Sequence, residues 1–84
     1  MNPDIQRRVI ELAAEEAHME PANVSPTQHF QHDLNFDSLS AVQFAMQMED
    51  EFEIHVPDEV IAQLHTVQDA IDYVEKELSK APAK

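Results

Sequence analysis

A serine hydroxyl placed at the opening of a helix is the arrangement in this chain best suited to chemistry. Asp37, Ser38 and Leu39 close a polar turn and begin a long apolar run, residues 33–52, reading DLNFDSLSAVQFAMQMEDEF. Asp37 suits the N-cap position, which puts Ser38 where the first backbone N–H groups of a helix have no internal partner. Those groups, with the positive end of the helix macrodipole, favour a phosphate on the Ser38 oxygen. The pattern therefore points to a site of attachment. For an isolated serine, a simple cap hydroxyl would be the preferred account.

Other chemistries fail on residue type or spacing. Asp33, Asn35 and Asp37 occupy positions 1, 3 and 5 of a calcium-loop pattern, but Ser38 replaces the turn glycine and Phe44 replaces the bidentate glutamate at position twelve. Of His18, His29, His32, His55 and His65, only His29 and His32 are close in sequence. No third ligand follows at a zinc-like spacing. Ser38 lacks the Gly-x-Ser-x-Gly turn and the base-and-orienter pair of a hydrolase nucleophile. No catalytic residue and no metal ligand is assigned.

Composition narrows the field further. At 84 residues the chain reads as one domain (1–84) with a small core and a modest stability margin. Zero cysteines remove disulfides and protein thiols, so thioester chemistry here needs sulfur from a prosthetic group. Neither a leader-like segment nor an apolar run long enough to span a bilayer is present, so a cytoplasmic protein with no membrane span is expected. Seventeen acids against five bases give a formal net charge of -12, and the bases Arg7, Arg8, Lys76, Lys80 and Lys84 leave residues 9–75 with none. Nucleic acid is excluded as a partner, because phosphate neutralisation needs Lys and Arg. Basic protein surfaces are the expected partners, with attraction that weakens in salt.

The elements that must position Ser38 follow from periodicity and punctuation. Asn2 and Pro3 start a helix over Pro3–Ala17, whose Ile5, Val9, Leu12 and Ala13 form one apolar stripe. Residues 18–31 form a long connection containing Pro21 and Pro26; Ser25, Pro26 and Gln28 predict a capped turn, and Val24 and Phe30 anchor it to the core. The chain has no glycine. A second helix, Ser38–Phe52, carries two apolar arcs: Ala41, Phe44, Ala45, Met48 and Phe52 on one, Leu39, Val42 and Met46 on the other. The first arc is the core. The second is either an exposed docking strip, rimmed by Gln43, Glu49 and Asp50, or part of a helix buried nearly all round. Ile54 and Val56 point inward, Asp58 caps a short helix through Val60, Ile61 and Leu64, and Thr66 with Asp69 forms a capping box for the last helix. That helix buries Val67, Ala70, Ile71, Val74 and Leu78, places Lys76 and Lys80 at its negative end, and frays over 81–84. The fold class is all-α: a four-helix bundle of three long helices and one short one.

Asp37-Ser38-Leu39 resembles the Asp-Ser-Leu motif of acyl carrier proteins, and the likeness runs in register over residues 3–78. Asp33 and Leu34 match the preceding Asp-Leu, Glu49 to Phe52 the acidic-aromatic helix end, Val56, Pro57 and Asp58 an Ile-Pro-Asp segment, and Thr66, Val67, Gln68, Ala70, Ile71, Asp72 and Tyr73 the start of the last helix. The resemblance implies an acyl-carrier-like bundle in which Ser38 bears 4′-phosphopantetheine, taken from coenzyme A by a phosphopantetheinyl transferase. It further implies no turnover by the protein itself and a monomer passing acyl thioesters between enzymes with basic surfaces. Asp37 and Leu39 flank the attachment point, and Leu39, Val42, Gln43, Met46, Glu49, Asp50 and Glu51 are the implied partner surface. The resemblance also implies an acyl chain sheltered in the core, for which Met46 and Met48 are adaptable linings. His18 and Asn35 stand where the family usually has glycine, Phe36 where a small residue is usual, and Ser40 and Gln43 where acids are common. The last two departures point to a dedicated pathway rather than bulk fatty-acid synthesis. An unmodified acidic helical interaction module with the same fold is the alternative.

Overall fold

The computed structural model describes residues 3–80. The expected cap Asn2, the side chain of Lys80 and the tail 81–84 fall outside what it describes. Four helices follow in order, α1 (Pro3–Ala17), α2 (Ser38–Phe52), α3 (Asp58–Ile61) and α4 (Val67–Lys80), with a 3-10 turn at Pro21–Asn23 in the first connection. Among the described residues the extended structure is a single antiparallel bridge between His29 and Thr66. The expected all-α architecture of three long helices and one short one is the one observed.

One core joins the three long helices. Ile5, Val9, Leu12 and Ala13 of α1 meet Phe44, Ala45 and Met48 of α2 and Val67, Ala70, Ile71 and Val74 of α4, all buried. Each set recurs every three or four residues, so each helix turns one stripe inward. The first connection is held down by Val24, Phe30, Leu34 and Phe36, which are also buried. Phe30 stacks on Phe36 at 5.1 Å and lies 5.2 Å from Phe44, fastening the loop before Ser38 to the helix that follows it.

Local hydrogen bonds explain the element boundaries. The Ser25 amide donates to Gln28 Oε1 at 3.0 Å and the Gln28 amide to the Ser25 carbonyl at 3.1 Å, which is the expected capped turn. The Asp69 amide donates to Thr66 Oγ1 at 3.2 Å while Asp69 Oδ2 accepts from the Thr66 amide at 3.1 Å, completing the capping box at α4. Two expectations need correction. Asp58 is the first helical residue of α3 rather than its cap: Pro57 caps, through its carbonyl, which accepts from the Val60 and Ile61 amides. Leu64 accordingly lies beyond α3, which ends at Ile61. Leu78 remains 36% exposed because the α4 stripe runs on past the packed core.

Without glycine, three turns among the described residues take a left-handed conformation with a Cβ in place: His18 at φ 60°, Asn35 at φ 60° and Glu53 at φ 55°. His18 ends α1 in a Schellman pattern, the His18 amide donating to the Glu15 carbonyl at 3.2 Å and the Met19 amide to the Ala14 carbonyl at 2.9 Å. Glycine relieves this strain. His18→Gly and Glu53→Gly are each expected to stabilise the fold by about 1 kcal/mol, with a smaller gain at Asn35, since Asn tolerates this region best. In a domain of this size that is a rise of roughly 4–8 °C in midpoint, which thermal unfolding measures; no rise at either position would show that the strain is absent.

Candidate functional site

The α2 N-terminus is built as the sequence predicts. Asp37 is extended and its Oδ1 accepts from the Ser40 amide at 2.8 Å. The Asp37 carbonyl takes the Ala41 amide at 3.0 Å, which begins the helical ladder. Ser38 is the first helical residue and is exposed. Its hydroxyl has no hydrogen bond to another described residue, whereas the Ser25 and Thr27 hydroxyls bond each other at 3.0 Å. The Ser40 amide first, then the Ser40 hydroxyl, hold the Asp37 carboxyl below the ordinary carboxylate range. A depressed folded-state value contributes stability that is present above the unfolded-state value and lost as pH falls through the folded one. Asp37→Ala is therefore expected to lower the melting midpoint at neutral pH. The gap to the parent should close under strong acid; a gap that persists there would mean the cap is not electrostatic.

A cleft of about 500 Å³ opens beside Ser38. Its floor includes Phe30, Phe36 and Phe44, its far wall Ile61 and Leu64, and its mouth Asp37, Ser38, His29, His32 and His65. A second cleft of about 400 Å³ lies on the other side of Val42, lined by Ala45, Met46, Val56 and Ile61. Met48, expected as a cleft lining, is instead sealed in the core and lines neither. His29 and His32 are the pair already close in sequence; His65 arrives from a segment far along the chain, so spacing gave no sign of it.

The outer arc of α2 is exposed: Leu39 is 64% exposed, Met46 57% and Val42 39%, beside exposed Gln43 and Asp50. The arc is therefore exposed, and α2 is not buried nearly all round. The acids expected beside it divide. Glu49 is turned inward, its Oε2 accepting from the Val56 amide at 2.7 Å and lying 3.4 Å from His55 Nδ1, so it closes the α2–α3 connection. Glu51 accepts from Arg8 at 2.9 Å, and Arg8 also pairs with Glu11. Glu51, then Glu11, hold the Arg8 guanidinium more firmly protonated, and Arg8 in turn lowers the Glu51 carboxyl. Both pairs are open to solvent; Arg8–Glu11 lies within α1, and Arg8–Glu51 fastens α1 to α2 only weakly. Tyr73 reinforces the α2–α3 connection from α4, its hydroxyl donating to the His55 carbonyl at 2.6 Å; burial, then Glu77 and Glu49, push its phenol up.

Comparison with known proteins follows the same lines. Residues 7–74 match the family model described as "Phosphopantetheine attachment site". Acyl carrier proteins from two strains of Porphyromonas gingivalis are 37% identical over 75 residues, which covers 89% of this chain and 96% of theirs. The crystal structure of an acyl carrier protein from Thermotoga maritima superposes with a TM-score of 0.74 at 33% identity, over 87% of this chain and 85% of that one. The solution structure of an apo doublet acyl carrier protein from prodigiosin biosynthesis gives a TM-score of 0.76 at 23% identity, a likeness of fold; this chain spans 36% of its length.

Proposed function

The chain belongs to the acyl carrier protein family, and on that premise we propose that Ser38 is the residue that bears its 4′-phosphopantetheine. The group supplies a thiol at the end of a flexible arm, on which an acyl chain is held as a thioester, and a chain without cysteine has no other thiol to offer. The observation that carries the assignment is the Ser38 hydroxyl itself, exposed, unbonded to other described residues and placed at the first position of a capped fifteen-residue helix. The surroundings fit the group. The α2 amides before Ser40 lie at the positive end of the helix, where a phosphate ester is favoured, and the cleft beside Ser38 leaves room for the start of the arm.

In this assignment residues 1–84 work as one carrier domain, a cytoplasmic monomer without turnover of its own. A single core supports the first point, and among the described residues no helix is long and apolar enough to cross a membrane. A phosphopantetheinyl transferase and acyl-handling enzymes with basic faces dock on Leu39, Val42 and Met46, with Gln43 and Asp50 at the rim. Glu49 and Glu51 contribute field more than contact, since both are engaged within the chain. The 500 Å³ and 400 Å³ clefts on either side of Val42 are where cargo would shelter. With Ser40 and Gln43 in place of acids, the pathway served is a dedicated one. Intact mass after incubation with coenzyme A and a phosphopantetheinyl transferase tests the attachment. One added phosphopantetheine is the expected result; none would leave the unmodified interaction module as the better account.

A further inference from the structure

The two clefts lie end to end along the seam between α2 and α3. Apart from Phe44, which floors the first from the inner face, α2 gives Ser38, Ala41 and Val42 to the first cleft and Val42, Ala45, Met46 and Glu49 to the second. A path leaving Ser38 along the helix therefore crosses from one to the other at Val42. Ser38, Val42 and Met46 recur every four residues, which sets them on one face at steps of about 6 Å. Ile61 is the matching residue on the α3 side: it lines both clefts, with Leu64 beside it in the first and Val56 in the second. Asp58, which also borders both, is exposed. The backbones carrying this partition are fixed. Val42 lies within a fifteen-residue helix. The Ile61 amide donates to the Pro57 carbonyl at 3.1 Å and its carbonyl accepts from the Leu64 amide at 3.2 Å. One turn of helix does not hold itself, but α3 is tied at both ends. Before it, the Val56 amide donates to Glu49 Oε2 at 2.7 Å and the Tyr73 hydroxyl to the His55 carbonyl at 2.6 Å. After it, the His65 carbonyl accepts from the Phe30 amide at 3.0 Å.

We propose that Val42 and Ile61 are the stop that fixes how long an acyl chain this protein shelters. The proposal narrows the carrier reading, in which both clefts receive cargo, and rests on the arm being attached at Ser38. The first cleft, at about 500 Å³, is of the size that takes a small ligand whole, and Ser38 stands at its mouth. A chain that enters there meets Phe30, Phe36, Phe44 and Leu64, all apolar. To run on into the second cleft it must part Val42 from Ile61. Both side chains are β-branched and stiff at χ1, and both stand on backbones that hydrogen bonds hold in place, so neither turns aside readily. Passing over the outside instead covers the Asp58 carboxylate, and a charged group resists losing its water. The cargo is therefore an acyl chain no longer than the first cleft accommodates, and the end of any longer chain is left in solvent.

Saturated acyl arms of graded length, from butanoyl to hexadecanoyl, are installed from the corresponding acyl-coenzyme A by a phosphopantetheinyl transferase and confirmed by intact mass. Thermal unfolding then reports sheltering, because cargo held only by the folded chain raises the midpoint. The Met46 methyl resonance reports entry into the second cleft, which Met46 lines and the first cleft does not share. In the parent the midpoint is expected to climb with chain length and level off, with Met46 unmoved throughout. V42A/I61A moves that limit to longer chains and lets the longest of them shift Met46. Val42 is 39% exposed, so V42A alone keeps the core and shows the same change, smaller in size, should the double variant not fold. L78A, whose side chain borders neither cleft, keeps the parent's limit. A Met46 shift in the parent, a limit that V42A leaves where it was, or one that L78A moves equally overturns the stop. So does a midpoint indifferent to chain length, and in each of these cases the mass gain leaves the carrier assignment standing. No mass gain from any acyl-coenzyme A removes the arm from Ser38 and the proposal with it.

Discussion

Ser38→Ala is expected to abolish the mass gain completely while leaving the protein as stable as its parent to within about 0.5 kcal/mol, the usual range for an exposed position without buried partners. The asymmetry follows from what the hydroxyl does in the fold, which is nothing measurable. Asp37 caps α2 through the Ser40 amide, so the helix start does not need the Ser38 oxygen. Removing that oxygen deletes the only atom at this position able to form an ester with phosphorus, and a neighbour cannot easily replace it. Ser40 is half-buried, two positions on, with its amide drawn toward Asp37. Thr66 has its oxygen taken by the Asp69 amide. Intact mass of Ser38→Ala after the same treatment gives the answer; an undiminished gain would place the ester elsewhere and remove the assignment of Ser38. Unfolding of the variant would show a structural role for the hydroxyl that the hydrogen bonds do not contain.

Much of this fold is legible locally because its elements are locally punctuated. Pro3, the Asp37 cap and the Thr66/Asp69 box each sit at a helix start, and an apolar stripe behind each fixes the face that turns inward. The αL turns at His18 and Asn35 are legible through the family resemblance, which places glycine at those positions. Glu53 is not, because nothing in its residue type announces a left-handed turn. The short α3 is harder. One turn of helix has little propensity of its own, and its cap proves to be a proline carbonyl rather than the aspartate beside it. Phe36 illustrates the same limit: it reads as a departure from a small residue, but its ring is buried and closes a cluster with Phe30 and Phe44.

The site shows a similar division. Ser38, Asp37 and the exposed arc of α2 lie within one continuous stretch, so their relation is set by helical geometry and can be read from order alone. The cleft cannot. Its walls come from the first connection, α2, α3 and the segment before α4, and the His29–Thr66 bridge sets that last segment against the loop of His29 and His32. Charge counting likewise gives the net acidity but not its disposition. Glu49 and Glu51 lie next to exposed Asp50 in sequence, and both are drawn into contacts within the chain.

Phe44→Ala is expected to have the largest effect on stability of any substitution in α2, about 3–5 kcal/mol, by removing a buried ring and leaving a cavity that its neighbours can fill only in part. Phe44 is 2% exposed and touches both other rings of the cluster, with centroids 5.2 Å from Phe30 and 5.8 Å from Phe36. A domain of 84 residues has a total stability of roughly 4–12 kcal/mol, so the loss runs from about a quarter of it to more than the whole. The cluster also holds the loop that leads into Ser38 and floors the cleft, so the variant should load with the arm poorly even where it remains folded. Leu39→Ala is the matched control. At 64% exposure on the outer arc, its side chain has little burial to lose, and the change should fall within about 0.5 kcal/mol. Urea unfolding of the two variants separates core from docking face in one measurement. If Leu39→Ala destabilised the protein as much as Phe44→Ala, the outer arc of α2 would be packed in solution and unavailable to a partner.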